Sequence, residues 1–312
     1  MEPVIAATDL SCRYRWTQVV DHLTFSVAPG TIFGLLGPNG AGKTTTIRAL
    51  MNILRPSGGE VRVLGVDSRR LGANELAEIG YVSENQRLPS WMTVDELLAF
   101  CKPMYPTWDD AFARKLIADF DLPVSTHLGR LSRGMRVKAA LVSALAYRPK
   151  LLVMDEPFSG LDPVVRDDLV HGVLERAGEE QWTVLLSSHD LDEVERLVDD
   201  IALLDNGRLV VSEPLTGLLA RFRRVEVTLP DGQAVPAAVD SAWIANSTAG
   251  RLIRFVHSAY SESSSERDVM ARFPGARVEI QPMNLREIFL AVARHSRAGR
   301  QVPSASGEEV RR

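Results

Sequence analysis

Between Gly37 and Thr45 the chain reads Gly-Pro-Asn-Gly-Ala-Gly-Lys-Thr-Thr, a pattern that dictates both a local fold and a ligand. An apolar run, Thr31 to Leu36, precedes it with strand character, and Thr45 to Met51 follows with helical character. That is the strand, loop, helix setting such a loop requires. Glycines at 37, 40 and 42 let successive backbone N–H groups turn inward without Cβ clashes, and the helix start adds its positive end. Pro38, Asn39 and Ala41 complete the loop, and Thr45 stands one step into the helix. Lys43 is placed to reach terminal phosphates and Thr44 to offer a hydroxyl to Mg²⁺. Accident would produce this pattern in roughly one chain in a hundred of this length. The loop predicts ATP or GTP, and leaves open which class of enzyme uses it.

A second constellation lies about 110 residues on, where Leu151-Leu152-Val153-Met154 ends in Asp155-Glu156. An apolar strand ending in two carboxylates places them at the carboxyl edge of a sheet, where ligands of such folds sit. Asp155 is read as holding Mg²⁺ through water, and Glu156, facing the other way, as a general base for in-line hydrolysis. Leu131-Ser132-Arg133-Gly134-Met135 precedes this strand, Ser159-Gly160-Leu161-Asp162 follows it, and Ser187-Ser188-His189-Asp190 ends the next apolar strand.

In this order and spacing the motifs resemble the ATPase subunit of ATP-binding cassette transporters, over about residues 4 to 220. The resemblance implies an α/β fold: a P-loop NTPase cassette with a RecA-like core, an antiparallel β subdomain and a helical subdomain at about 88–146. It implies ATP as substrate, Mg²⁺ as cofactor, and hydrolysis coupled to transport. Lys43, Glu156 and His189 become the catalytic set, His189 as a switch that contacts the γ-phosphate and orients Glu156. Ser132 and Gly134 match the signature loop, which meets the γ-phosphate held by the opposite subunit, and Asp162 matches the loop between the two sites. One chain then carries half a site, and the partners implied are a second copy or a paralogous ATPase subunit together with an integral-membrane permease. Tyr14 suits the aromatic that stacks on adenine, with Trp16 as the close alternative.

The chain departs from the family at two places. The glutamine usual at the end of the strand Ile79-Gly80-Tyr81-Val82 is replaced, counting from Tyr81, by Glu84, a carboxylate able to serve the metal; the alternative is that Gln86 takes that place. Exporter-type cassettes for drugs, lipids and polysaccharides often show such a change, and the function expected is to power export of a drug, lipid, polysaccharide or peptide through a separate permease. In the signature, Arg133 and Met135 replace the more usual glycine and glutamine. Hydrolysis is still expected, because Lys43, Asp155, Glu156 and His189 are all present.

Composition agrees with this assignment. The 312 residues are 45% hydrophobic and 24% charged, enough for a sizeable core and two domains. Cys12 and Cys101 lie far apart without metal-ligand spacing, so neither a disulfide framework nor a zinc site is indicated and a reducing cytosol is inferred. The N-terminus shows no basic region followed by an apolar stretch, and no run approaches the ~18 apolar residues of a membrane span. The expected location is cytoplasmic, peripheral on the inner face of the cell membrane through the permease.

Thr93 to about Ala146 reads as helical, interrupted at Pro103, Pro106 and Pro123, with Val94, Leu97, Leu98 and Cys101 at helical spacing. Trp91 just before it either packs locally or receives the permease. After Leu219 the motifs stop. Residues 221–312 carry 14 Arg against 10 Asp and Glu, reversing the acidic balance of the first 220. Strand patterns at Val225–Leu229, before a turn at Asp231-Gly232, and at Leu252–Val256 and Arg277–Ile280, with a capping box at Asn284 and Glu287, suggest a small C-terminal α+β appendage over 221–296. Residues 297–312 look disordered by composition. The arginines are scattered without interleaved aromatics, so nucleic acid is not expected as a partner. The rival classes are a soluble cassette protein acting on ribosomes or DNA, and a regulator that binds nucleotide without hydrolysing it.

Overall fold

The computed structural model describes residues 2–84, 86–180, 182–231, 240–262 and 264–298. Gly232 of the expected turn and residues 299–312 of the expected tail lie outside them. The chain divides into two compact units, residues 1–190 with 197–209, and residues 191–196 with 210 onward.

The first unit opens with β1 (Ile5–Tyr14) and β2 (Thr17–Val27), an antiparallel pair, followed by β3 (Ile32–Leu36), the glycine-rich loop and α1 (Lys43–Leu50). Next come β4 (Gly58–Val63), β5 (Val66–Asp67), α2 (Ala73–Leu76) and β6 (Ile79–Ser83). The first four-stranded sheet has the order β2, β1, β4, β5. The helical stretch contains α3 (Val94–Cys101), α4 (Asp110–Asp119) and α5 (Arg133–Leu145). Pro103 sits in a short 3₁₀ turn that ends α3, and Thr93 and Glu96 cap its start reciprocally. Then follow β7 (Leu151–Asp155), α6 (Pro163–Glu180), β8 (Thr183–Ser188) and β9 (Asp200–Asp205).

Strands β9, β3, β8, β7 and β6 pair in that order, all parallel. All five residues of β7 and all six of β8 are buried. Such unbroken burial, with consecutive apolar residues at Leu151–Met154 and Val184–Leu186 rather than alternation, is what a parallel sheet covered on both faces requires. Because the strands are parallel, their carboxyl ends share one edge. Register places Ser83 beside Asp155, Asp155 beside Ser187, and Ser187 beside Leu35. Motifs scattered over more than 150 residues are thereby brought to one row.

The second unit contains α7 (Leu191–Val194), most of β10 (Arg208–Pro214), α8 (Leu215–Arg221) and β11 (Arg223–Thr228). It continues through β12 (Trp243–Ala249), β13 (Leu252–His257), α9 (Ser265–Arg272), β14 (Arg277–Pro282) and α10 (Leu285–Arg297). Its sheet has the order β12, β13, β11, β14, all antiparallel. Trp243 stacks on Phe255 at 4.2 Å and on Phe273 at 5.7 Å over this core. Asn284 and Glu287 form the reciprocal cap of α10 expected from their spacing. Contacts begin the second unit at residue 210 and include 191–196, whereas composition had suggested 220. The reason is that α7 packs against α10, nearly a hundred residues later in sequence.

One turn holds the phosphate loop from beneath. Gly207 donates its N–H to Ala41 O at 3.1 Å and accepts from Asp21 N at 2.8 Å. Its φ is +79°, and a Cβ there would stand 2.3 Å from Val19 O. Gly207→Ala is therefore expected to destabilise the first unit by about 1–3 kcal/mol through backbone strain plus a clash. Denaturant unfolding of the nucleotide-free protein checks this; an unchanged midpoint would mean that the turn relaxes freely.

Candidate functional site

Lys43 begins α1, and its ammonium is almost wholly buried. Nζ donates to Gly37 O at 2.7 Å and Pro38 O at 3.2 Å, and lies 3.0 Å from Glu156 Oε1. Gly42 is the N-cap of α1 in a left-handed conformation, and no acidic residue occupies the first turn. The positive end of this helix is thus left for an anion rather than neutralised by the chain. Pro38, Asn39, Gly40 and Ala41 form the arch between, closed by an Ala41 N–H to Pro38 O bond of 3.1 Å.

Thr44 Oγ1 donates to Asp155 Oδ1 at 3.0 Å, and Ser187 Oγ donates to the same oxygen at 2.7 Å. Ser187 also accepts from Glu156 N at 3.0 Å, so one hydroxyl fastens both carboxylate residues. Burial raises the Asp155 pKa above the usual carboxylate range and the Glu156 charge adds to it, while the Ser187 and Thr44 hydrogen bonds oppose the shift. A carboxylate whose charge is penalised in this way gains from a nearby cation.

Glu156 takes a φ of +52°, uncommon for a residue with a Cβ and costly by about 1–2 kcal/mol. The turn aims its side chain away from Asp155. Oε2 lies 2.7 Å from His189 Nδ1 and accepts from His189 N at 3.3 Å. Oε1 is buried, faces Lys43, and accepts no well-angled hydrogen bond.

Lys43, Thr44, Asp155, Glu156 and His189 are thus brought together as expected, and Ser187 joins them. Ser187 was legible as part of the motif ending β8 but not as the clamp on the carboxylates; parallel register beside Asp155 is the signal that finds it. Thr45, by contrast, is buried within α1. Tyr14 ends β1 and Trp16 follows in the turn, both exposed, and Arg48 Nη1 donates to Tyr14 Oη at 3.4 Å.

The remaining predicted residues form a second group. Ser132 caps α5, accepting from Met135 N at 3.2 Å. A Cβ on Gly134 would meet Val165 Cγ1 at 2.3 Å, so this glycine also lets α5 approach α6. Asp162 Oδ1 caps α6, accepting from Val164 N and Val165 N, both at 3.1 Å. The Glu84 carboxylate accepts from Arg133 Nη2 at 3.0 Å rather than joining the Asp155 cluster, and Gln86 Oε1 turns back to Ser83 N at 3.4 Å. Trp91 is 69% exposed, which removes the local-packing alternative for its ring.

Among the described residues no three His, Cys, Asp or Glu side chains gather as a metal cage. A Mg²⁺ site of one carboxylate, one hydroxyl and substrate oxygens needs none, and Asp155 with Thr44 supplies that donor set. The sequence matches the ABC transporter family over residues 20–159. It is 34% identical over 234 residues to the bacitracin transport ATP-binding protein BcrA of Bacillus licheniformis, covering 74% of this chain and 76% of that one. To the Nod factor export ATP-binding protein I of Ralstonia nicotianae it is 30% identical over 300 residues, covering 92% and 93%. Among solved structures it resembles an ATP-binding subunit of an ABC transporter, with a TM-score of 0.62 and 30% identity over 69% of this chain and 91% of that one. Matched along nearly its whole length by such a relative, and with Lys43, Asp155, Glu156 and His189 in one cluster, the chain belongs to the ATP-binding, ATP-hydrolysing subunits of ABC transporters.

Proposed function

We propose that this protein works as a pair of subunits at the cytoplasmic face of a membrane, where ATP hydrolysis drives export through a separate permease. The cargo class proposed is a drug, lipid, polysaccharide or peptide; the relatives are named for bacitracin transport and Nod factor export. Among the described residues no helix is long and apolar enough to cross a membrane, and the path for cargo is assigned to the separate permease. Trp91, Phe100 and Met104 are each exposed in or beside the helical stretch and are assigned to the contact with that permease.

The observation carrying this reading is the Lys43–Glu156–His189 cluster beside Asp155. In the proposed mechanism the Gly37–Thr45 loop and Lys43 bind the triphosphate, Tyr14 stacks on the adenine, and Thr44 and Asp155 would hold Mg²⁺. Bound there, the ion would offset phosphate charge. Glu156 takes a proton from water as the water oxygen bonds to the γ-phosphorus. The bond to the bridging oxygen breaks, its electron pair leaving with ADP. His189 keeps Glu156 oriented through the 2.7 Å contact. Ser132 and Gly134 serve the nucleotide held by the second subunit, with Asp162 linking the two sites.

Glu156→Gln keeps the shape and loses the base, so it is expected to retain ATP and to slow single-turnover hydrolysis by at least ~100-fold. Lys43→Ala is expected to lose nucleotide in equilibrium binding. A fully active Glu156→Gln protein would remove the general-base role. The half-site arrangement predicts that Glu156→Gln forms dimers with ATP and not with ADP, and that adding Ser132→Arg abolishes them. Light scattering reads this directly, and a monomer at saturating ATP would contradict pairing by this chain alone.

A further inference from the structure

The two places where the sequence departs from its family meet each other in the fold. Arg133 Nη2 donates to Glu84 Oε1 at 3.0 Å, across 49 residues of sequence. Arg133 is the first residue of α5, a helix with no acidic residue in its first turn and with Arg136 just beyond. A guanidinium at a helix N-terminus is opposed by the helix dipole. Glu84 supplies from a distant loop the negative charge that this end lacks locally.

Both partners are anchored at their other ends. Glu84 N donates to Asp155 O at 2.9 Å, tying its loop to the end of β7. The Arg133 guanidinium lies against the loop after β7, for a Cβ on Gly160 would come within 2.7 Å of Nη1. Ser132 Oγ holds the same helix start through Met135 N. Arg136 Nη1 donates to Leu131 O at 2.6 Å, so the second cation is used locally and leaves Glu84 to Arg133. The pair lines one wall of a groove of about 360 Å³ together with Gln86, Arg136, Val137 and Pro157. A path of two side chains therefore runs from Asp155, through Glu84 and Arg133, to the helix start that carries Ser132 and Gly134.

We propose that Glu84 and Arg133 are a positioning pair, an ionic strap within one chain that sets the start of α5 for the second subunit's nucleotide, and that Glu84 acts through Arg133 and not as a metal ligand. The function of the strap rests on the paired-ATPase reading above. Its existence does not. The pair is partly exposed, so it shifts an equilibrium without being indispensable to folding.

The test uses the full chain with Glu84→Ala, Arg133→Ala, the double alanine, and the swap Glu84→Arg with Arg133→Glu. Each single variant is expected to raise the ATP concentration for half-maximal hydrolysis about two- to fivefold, with saturated turnover nearly unchanged. The double alanine is expected to be no worse than either single, the swap to recover most of the loss, and the Mg²⁺ concentration for half-activation to stay fixed throughout. Additive losses, or a Mg²⁺ shift in Glu84→Ala that Arg133→Ala does not share, would overturn the strap. Hydrogen exchange of the nucleotide-free chain decides independently of hydrolysis: Glu84→Ala should speed exchange at the start of α5, and Arg133→Ala should speed it around Glu84. Changes confined to each variant's own segment reject the pair. Variants that show these exchange effects beside a wild-type chain that never hydrolyses ATP would sink the ATPase reading and leave the strap standing.

Discussion

Two adjacent carboxylates end a fully buried strand, and the surroundings of Asp155 and Glu156 are organised by the cost of placing them there. Burying a carboxylate without partners is severely unfavourable, and burying two side by side more so. The chain separates them by turning Glu156 into a left-handed conformation, so that each meets its own partners. Asp155 receives the hydroxyls of Thr44 and Ser187; Glu156 receives Lys43 and His189. These partners come from α1, the end of β8 and the residue after it, so the compensation works only if the parallel strands keep their register. A one-residue slip of β8 would carry Ser187 away from Asp155 and leave both charges short of a partner.

The same arrangement makes the site chemically ready. Lys43 meets three oxygens, two carbonyls and a carboxylate, which are the acceptor type a phosphate offers. Glu156 Oε1 is buried yet accepts no well-angled hydrogen bond, a condition stable proteins seldom tolerate outside functional sites. Backbone strain and a buried oxygen whose close partner is the Lys43 ammonium fall on one residue, the one proposed to act as base.

What the sequence disclosed follows from how local each signal is. The phosphate loop, β7 with its carboxylates and the cap of α10 are each written within a dozen residues, and each stands where periodicity and turn chemistry place it. Long-range partners were less legible. Gly134 reads as a phosphate-facing backbone, while its clearance for Val165 appears only once α6 lies against α5. Glu84 and Arg133 read as two separate departures, since nothing between them in sequence announces that β6 and α5 bring them to 3.0 Å. Strand β12 escaped notice because most of its residues are exposed and its register is broken by a bulge after Ile244, which blurs the alternation that marks a strand.

The C-terminal unit shows why a change in composition is a poor guide to where one body ends. Its last helix begins by donating Leu285 N–H to Glu195 Oε2 at 2.7 Å, and Arg286 pairs with Asp192 at 3.0 Å. Both acceptors lie just after His189, far from the arginine-rich stretch that suggested a boundary. Leu191 and Val194 of α7 are buried, and α10 is among the elements packed against them. A cut at residue 220 would remove that cover along with the donors for Glu195 and Asp192. The segment 191–196 that follows His189 in sequence therefore owes its structure to the C-terminal unit and belongs to that unit's core.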